Sequence, residues 1–338
     1  TTPTPTLTLT PAYAPGPTQI ARSTPASLTE ATLLLTGFRH SYQMWNNCGP
    51  ATLAMALSYF GWSGDQKDTA GFLKPDPEDR NVNPEEMAAY ARSQGYQAIV
   101  RSGGTLDIIK AMLHAGLPVI IERGFEPEDR LGWMGHYVVI VGYSQPRQEF
   151  VTMDSYLGPL QAAPFAETDR YWRQFNRTYL VIYRDDQALM VSQLIGSSIN
   201  DALMHQNAMA AAQAEVALAQ DAFGWFNIGT NYQALGMHAE AAAAYDHARQ
   251  LGLPWRMTWY QFGWFEAYLA VGRYDDVMAL ADATLKSNPY SEEMYYYKGR
   301  ALAARGDLEA ARAQYQTALQ RNPNFTPAQQ ALDALGQP

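Results

Sequence analysis

Cysteine is almost absent from this sequence: one residue in 338, at position 48. A lone thiol excludes any disulfide within the chain, so the cysteine count is silent about redox compartment. Positive charge is also sparse. With 24 Lys and Arg against 33 Asp and Glu, the formal net charge is −9, which excludes the clustered basic footprint of a nucleic-acid-binding protein. No apolar run reaches the roughly 18 residues of a membrane-spanning helix, so no span is expected in the chain. There is no HExxH, no paired CxxC and no glycine-rich phosphate loop, and neither a metal nor a cofactor is expected. The acidic stretch KPDPEDRNVNPEE lacks the ordered ligand spacing of a calcium loop and reads as a solvated loop.

What remains is a globular composition, 47 % hydrophobic and 17 % charged, in a chain long enough for about two domains. It opens on TTPTPTLTLTPAYAPGPTQIARSTP, rich in Thr and Pro and nearly uncharged. Such a segment buries too little apolar surface to fold, which predicts an extended, disordered linker over 1–36. The chain starts without Met, as a trimmed product would, and Thr/Pro stalks commonly hold exported domains off a surface. An extracellular or cell-surface location is the expectation.

Over 37–187 short helices and short strands alternate. NPEEMAAYARSQG predicts a helix with Asn83 as N-cap, Pro84 at the first helical position, Glu86 in the capping-box position and a stop at Gly95. TLDIIKAMLHAG predicts a second, capped by Thr105 and ended by Gly116. YQAIVR, LPVIIER, HYVVIVGY, EFVTMDS and RTYLVIYR have the length and β-branched content of strands, the third and fourth joined by the short turn SQPRQ. The expected fold is α+β, with helices early and a largely antiparallel sheet later.

After a linker expected at 188–199 the strands vanish and a repeat takes over. WFNIGTNYQALGMHAEAAAAYDHARQLGLP, YQFGWFEAYLAVGRYDDVMALADATLKSNP and YYYKGRALAARGDLEAARAQYQTALQRNP align, with Gly236, Gly272 and Gly306 spaced 36 and 34 residues apart. This resembles the tetratricopeptide repeat, a helix–turn–helix unit of about 34 residues. Three units with a leading helix over 200–219 and a closing helix over 327–335 predict an all-α solenoid over 200–338. Its aromatic stretches PWRMTWYQFGWFEAY and EEMYYYKG are expected on the first helices of units two and three, partly as core and partly as a groove for a protein partner or substrate.

The lone cysteine sits in NNCGPATLAMALSYFGW. Asn46, Asn47 and Pro50 mark a helix start, and Leu53, Leu57 and Phe60 give that helix a buried face. Cys48 therefore falls at a helix N-terminus, where unpaired N–H groups favour a thiolate. A thiolate nucleophile needs a base. His205, His238 and His247 lie in the repeats, and His114 ends a helix; His40, eight residues before Cys48, stays open as a candidate. His136 begins a strand, and Asp154 ends the strand expected beside it, so the pair forms a candidate base and orienter. Trp45 and Trp133 flank these residues and either wall a substrate cleft or pack in the core.

The segments Q-x3-NCGPATLAMAL, GHYVVIVGY and MDSYLGP together resemble the papain-like cysteine peptidases, in particular the bacteriocin-processing, double-glycine-leader peptidases of family thirty-nine. The resemblance covers about residues 37–187. It implies Cys48 as nucleophile, His136 as general base and acid, Asp154 as orienter, and Gln43 as an oxyanion donor beside the Cys48 backbone N–H. Two features depart from the family. Helical repeats follow the domain where transport-linked members carry a transporter, and Asn47 stands where an acidic residue is frequent. The expected activity is hydrolysis of a peptide or amide bond in a peptide or protein substrate. The alternatives are an acyltransferase or transglutaminase-like enzyme on the same residues, and a non-catalytic adaptor.

Overall fold

The computed structural model describes residues 31–127 and 131–336. In chain order the first part contains β1 (Thr32–Leu34), α1 (Cys48–Tyr59), α2 (Gln66–Leu73), α3 (Pro84–Ser93), β2 (Gln97–Arg101), α4 (Leu106–His114), β3 (Val119–Phe125), β4 (Met134–Ser144), β5 (Glu149–Asp154), β6 (Gly158–Pro164), α5 (Phe165–Trp172) and β7 (Tyr179–Tyr183). The strands form one seven-stranded sheet in the order β2-β7-β3-β4-β5-β6, with β1 on β4. Every pairing is antiparallel. Most of the linker expected over 1–36 lies outside the described residues, but its last part is strand: Leu33 pairs with Tyr143.

Local chemistry explains the helices. Asn83 and Glu86 make the reciprocal capping box of α3, with Pro84 inside its first turn, and Thr105 Oγ1 accepts from the Ile108 N–H at the start of α4. Helix α1 differs from its expected single buried face. All of Gly49–Ser58 is buried, because the helix lies in the middle of the domain core, among residues of the sheet and of α2, α3 and α4. An α-helix covered on every side has to be apolar all round.

The helical part starts earlier than expected. Residues 188–199, read as a linker, are α6 (Ala188–Ile195) and a 3-10 turn; Val191 and Ile195 pack into the core of the sheet domain, which holds the segment in place. Then come α7 (Asp201–Leu218), α8 (Ala222–Ala234), α9 (His238–Leu251), α10 (Gly263–Ala270), α11 (Tyr274–Leu285), α12 (Glu292–Ala304), α13 (Leu308–Arg321) and α14 (Thr326–Leu335). Three helix pairs, α8/α9, α10/α11 and α12/α13, build the solenoid. Size complementarity repeats along it. A side chain at Gly229 would strike Tyr245, and one at Gly299 would strike Tyr315. In the middle unit the equivalent positions are Phe265 and Ala281, both fully buried, with the large residue on the first helix.

That middle unit is irregular. Its expected first helix is only α10, preceded by a 3-10 turn over Trp255–Trp259. The aromatic segment therefore divides: Trp264, Phe265 and Tyr268 fill the core, and Trp259 and Tyr260 turn toward the sheet domain.

Sheet domain and solenoid share a second core. Trp133 and Phe175 of the first stack 5.8 Å apart and pack in one cluster with Phe226, Met257 and Trp264 of the second. Beside it the amides of Asn176 and Asn231 exchange hydrogen bonds of 3.0 and 3.2 Å, both buried. The ion pair Arg101–Asp201, at 2.7 Å with an exposed carboxylate, adds only about 0–1 kcal/mol by comparison. Truncating a large buried aromatic costs about 3–5 kcal/mol. Apolar packing holds the junction.

A polar margin of the junction is acidic. Glu293, at the start of α12, accepts from Asn81 Nδ2 at 3.0 Å and from Ser291 Oγ at 2.7 Å. Desolvation, then the carboxylate of Glu293, push the Glu86 carboxyl from 4.5 up to about 8. The folded state thus holds a proton that the unfolded chain releases. The stabilisation is complete below about pH 4.5 and is lost as pH rises through about 8. Glu86→Gln keeps a capping-box acceptor for Asn83 and removes the titration. It is expected to raise the melting temperature at pH 8 and leave it unchanged at pH 4.5. Equal increments at both pH values in thermal melts would contradict the raised Glu86 pKa.

Candidate active site

Strand order brings the three candidate residues together. Asp154 ends β5 opposite Val138 of β4, two residues beyond His136, and α1 packs its first turn against the same strand, with Thr52 Oγ1 donating to the Tyr137 carbonyl at 3.1 Å. His136 Nε2 lies 3.0 Å from Asp154 Oδ1, with both side chains buried. The same Oδ1 accepts from the Tyr156 and Leu157 N–H groups at 2.7 and 3.0 Å. With Nε2 occupied, the other ring nitrogen is left for the hydrogen bond that His136 makes with Cys48. Phe125 stacks on the imidazole at 4.8 Å and fixes its plane.

The electrostatics follow from this line. Burial raises the Cys48 pKa, but the hydrogen bond and charge of His136, with the Tyr137 and Gly49 backbone N–H groups, outweigh it and leave the thiol below its usual value. Burial lowers the His136 pKa; the Asp154 charge and hydrogen bond, and then Cys48, outweigh it and lift the imidazolium to about 9. Asp154 is raised by burial and lowered more strongly by His136 and its two N–H donors. The arrangement favours thiolate, imidazolium and carboxylate together. Glu122 lines the space behind the thiol, and burial first, then Glu85, hold its carboxyl well above the usual range, which favours its neutral form.

The loop before Cys48 is held by residues that sequence reasoning passed over. Gln66 is buried at the start of α2. Its Oε1 accepts from the Met44 N–H at 2.8 Å and Asn47 Nδ2 at 2.9 Å, and its Nε2 donates to the Tyr42 carbonyl at 2.7 Å. This accounts for Asn47: its side chain makes no cap bond and serves as a neutral donor to a buried amide. Asn46 takes a left-handed φ of 52°, which Asn tolerates better than most residues. Lys74 Nζ spans the carbonyls of Asn46, Pro77 and Asp79 at 3.1, 3.0 and 2.7 Å. Neither Gln66 nor Lys74 belongs to a local pattern that would have marked it.

Gln43 is fixed from both ends by Ser155, which accepts from its N–H at 2.8 Å and donates through Oγ to its Oε1 at 2.9 Å. Its Nε2 is the donor left over, and Gln43 lines the same cleft as Cys48 and His136. The cleft encloses about 450 Å³. His40 is no base: its Nε2 sits 2.9 Å from the Asp154 carbonyl oxygen, where it braces the end of β5. Trp45 is exposed on the cleft wall, its Nε1 3.3 Å from Glu78 Oε2. Trp133, offered by the sequence as a substrate-binding wall or a core residue, is not a substrate-binding residue: it is buried in the shared core, donating to Gln174 Oε1 at 2.7 Å, and does not line the cleft.

His136→Ala removes the hydrogen bond and the charge that offset burial. The Cys48 pKa is expected to rise, read from the pH dependence of alkylation. An unchanged profile would mean that His136 does not set the thiolate.

Comparison with known proteins finds likenesses for two regions of the chain. Residues 35–180 match the Peptidase C39 like family, and residues 292–325 match a tetratricopeptide repeat. No curated protein matches the sequence. Among solved structures, a C39-like peptidase from Bacillus anthracis is 18 % identical at a TM-score of 0.38, with 46 % of this chain and 98 % of that one covered. A double glycine motif protease from an AMS/PCAT transporter, in complex with the leader peptide, is 20 % identical at 0.34 over 45 % and 94 % of the two chains. The peptidase domain of Streptococcus ComA is 14 % identical at 0.35 over 44 % and 100 %. The chain thus joins a sheet domain that matches the Peptidase C39 like family over residues 35–180 to a helical region that matches a tetratricopeptide repeat over residues 292–325.

Proposed function

We propose that this protein is a thiol hydrolase that cleaves a peptide or amide bond through Cys48, His136 and Asp154. The observation that carries the reading is the line from thiol to imidazole to a carboxylate held at 3.0 Å, opening on a cleft. The Cys48 thiolate attacks the scissile carbonyl, and the C–S bond forms as the carbonyl π pair moves onto oxygen. The Cys48 N–H and Gln43 Nε2 receive that oxyanion. When the tetrahedral species collapses, the C–N bond breaks and His136 delivers its proton to the departing amine, leaving a thioester. His136, now neutral, takes a proton from water as that water attacks the thioester. Collapse releases the carboxylic acid and regenerates the thiolate beside an imidazolium. Asp154 holds the ring in the required tautomer throughout. The solenoid is the part that engages a partner or the body of a protein substrate.

On a peptide or amide substrate, Cys48→Ala is expected to abolish turnover. Gln43→Ala is expected to lower kcat by about 10²–10³ with little change in KM, because its donor acts mainly on the transition state. The rate should rise with the Cys48 ionisation and fall above pH about 9, where the His136 imidazolium is lost. Wild-type turnover in Cys48→Ala would overturn the reading, and an unchanged kcat in Gln43→Ala would remove that residue from the oxyanion site.

A further inference from the structure

One wall of the cleft comes from the solenoid. Arg256, Trp259 and Tyr260 line it together with Cys48 and His136, and Arg80, from the loop between α2 and α3, lines it from the sheet domain. Gly135 eases this approach. A Cβ there would come to 3.0 Å from Phe175 and 3.1 Å from Tyr260, so a side chain before His136 would press these rings back by a few tenths of an ångström.

Both guanidinium groups lie over the Trp259 indole, and that of Arg256 lies nearer still to the Trp255 ring, at 4.6 Å. The Arg80 guanidinium carbon lies 4.7 Å from the Trp259 ring centre, and that of Arg256 lies 5.4 Å from it. Arg80 donates through Nη1 to the Ser287 carbonyl at 3.2 Å; Arg256 donates through Nη1 to the carbonyls of Leu131 and Trp133. Both Nε–H groups are buried without a partner. Neither arginine has a carboxylate partner among the described residues, whereas Arg273, Arg300 and Arg321 of the same solenoid each have one. A guanidinium offers five N–H donors in a planar fork that matches a carboxylate. Here two such forks, largely unspent, stand in an apolar cleft of a chain with net charge −9. With no counter-ion among the described residues, these two like charges repel each other, and an incoming anion relieves that repulsion.

We propose that Arg80 and Arg256, set around Trp259, form a substrate subsite for a carboxylate, so that the solenoid helps select the bond presented to Cys48. The carboxylate is an acidic side chain or a peptide C-terminus near the scissile bond. The inference rests on Cys48 being the nucleophile of the proposed function.

The test compares alkylation of Cys48 in the full chain by iodoacetate, an anion, and iodoacetamide, its neutral analogue. The ratio of the two rates reports the cation pair, and the iodoacetamide rate reports the thiolate. Arg80→Gln combined with Arg256→Gln is expected to lower the ratio by about tenfold, each single variant by less. Arg80→Gln leaves the Leu131 and Trp133 contacts intact, and Arg256→Lys, which keeps the charge, should retain most of the ratio; thermal melts check that each variant folds. Peptides differing by Glu against Gln, and by a free against an amidated C-terminus, then separate the two sources. The wild type should prefer one acidic form, and the double variant should lose that preference. A ratio unchanged in folded variants overturns the subsite while leaving the nucleophile standing. Failure of both reagents to modify folded wild type at Cys48 overturns the nucleophile, and the subsite with it.

Discussion

The buried pair of His136 and Asp154 is the constraint around which the rest of the site is arranged. An imidazolium and a carboxylate taken out of water are costly unless each is matched by a partner and by further hydrogen bonds. The protein meets that requirement with neutral groups. Two backbone N–H groups complete the carboxylate, and Phe125 covers the imidazole on one face. His40 ties the Asp154 carbonyl in place. The thiol then needs only to stand at the remaining ring nitrogen, and the first turn of α1 puts it there.

Positioning the preceding loop is a separate task, assigned to buried polar residues far along the chain. Gln66 gathers Tyr42, Met44 and Asn47 around one amide, and Lys74 draws three carbonyls beneath the turn before Cys48. A buried amide or ammonium with its partners satisfied specifies one loop conformation, because any alternative leaves it unpaired at a cost of about 1–3 kcal/mol per lost partner. Gln43 and the Cys48 N–H thereby keep a fixed relation to the cleft.

Sheet domain and solenoid share a core instead of being tethered. Trp133 and Phe175 belong to the same apolar cluster as the first solenoid helices, so removing the repeats would expose large aromatics. The irregular middle unit is where this sharing leaves a mark. Its segment over 255–260 does not extend the helix; it turns out of the stack and becomes a wall of the cleft. The repeat pattern sets the spacing of the helices, and its local failure places cationic and aromatic side chains next to Cys48.

Much of this was legible in the residues alone. Capping boxes, glycine stops and β-branched runs are local signals, so α3, α4 and five strands could be read off, as could the repeat from its glycine spacing. The cysteine at a helix start and the histidine at a strand start were visible for the same reason. β6, with its sequence GPLQAAP, was not, because it has neither alternation nor β-branched content and exists only by pairing with β5. Trp133 was ambiguous because a tryptophan beside a site residue in sequence carries no sign of which face it takes. The roles of Gln66, Lys74 and His40 come from contacts across 3 to 114 positions in sequence. Local sequence determined which elements form and where a reactive thiol would sit. Only tertiary packing decided which distant polar groups hold that thiol's loop, and which solenoid residues face it, because those choices depend on what two surfaces bury when they meet.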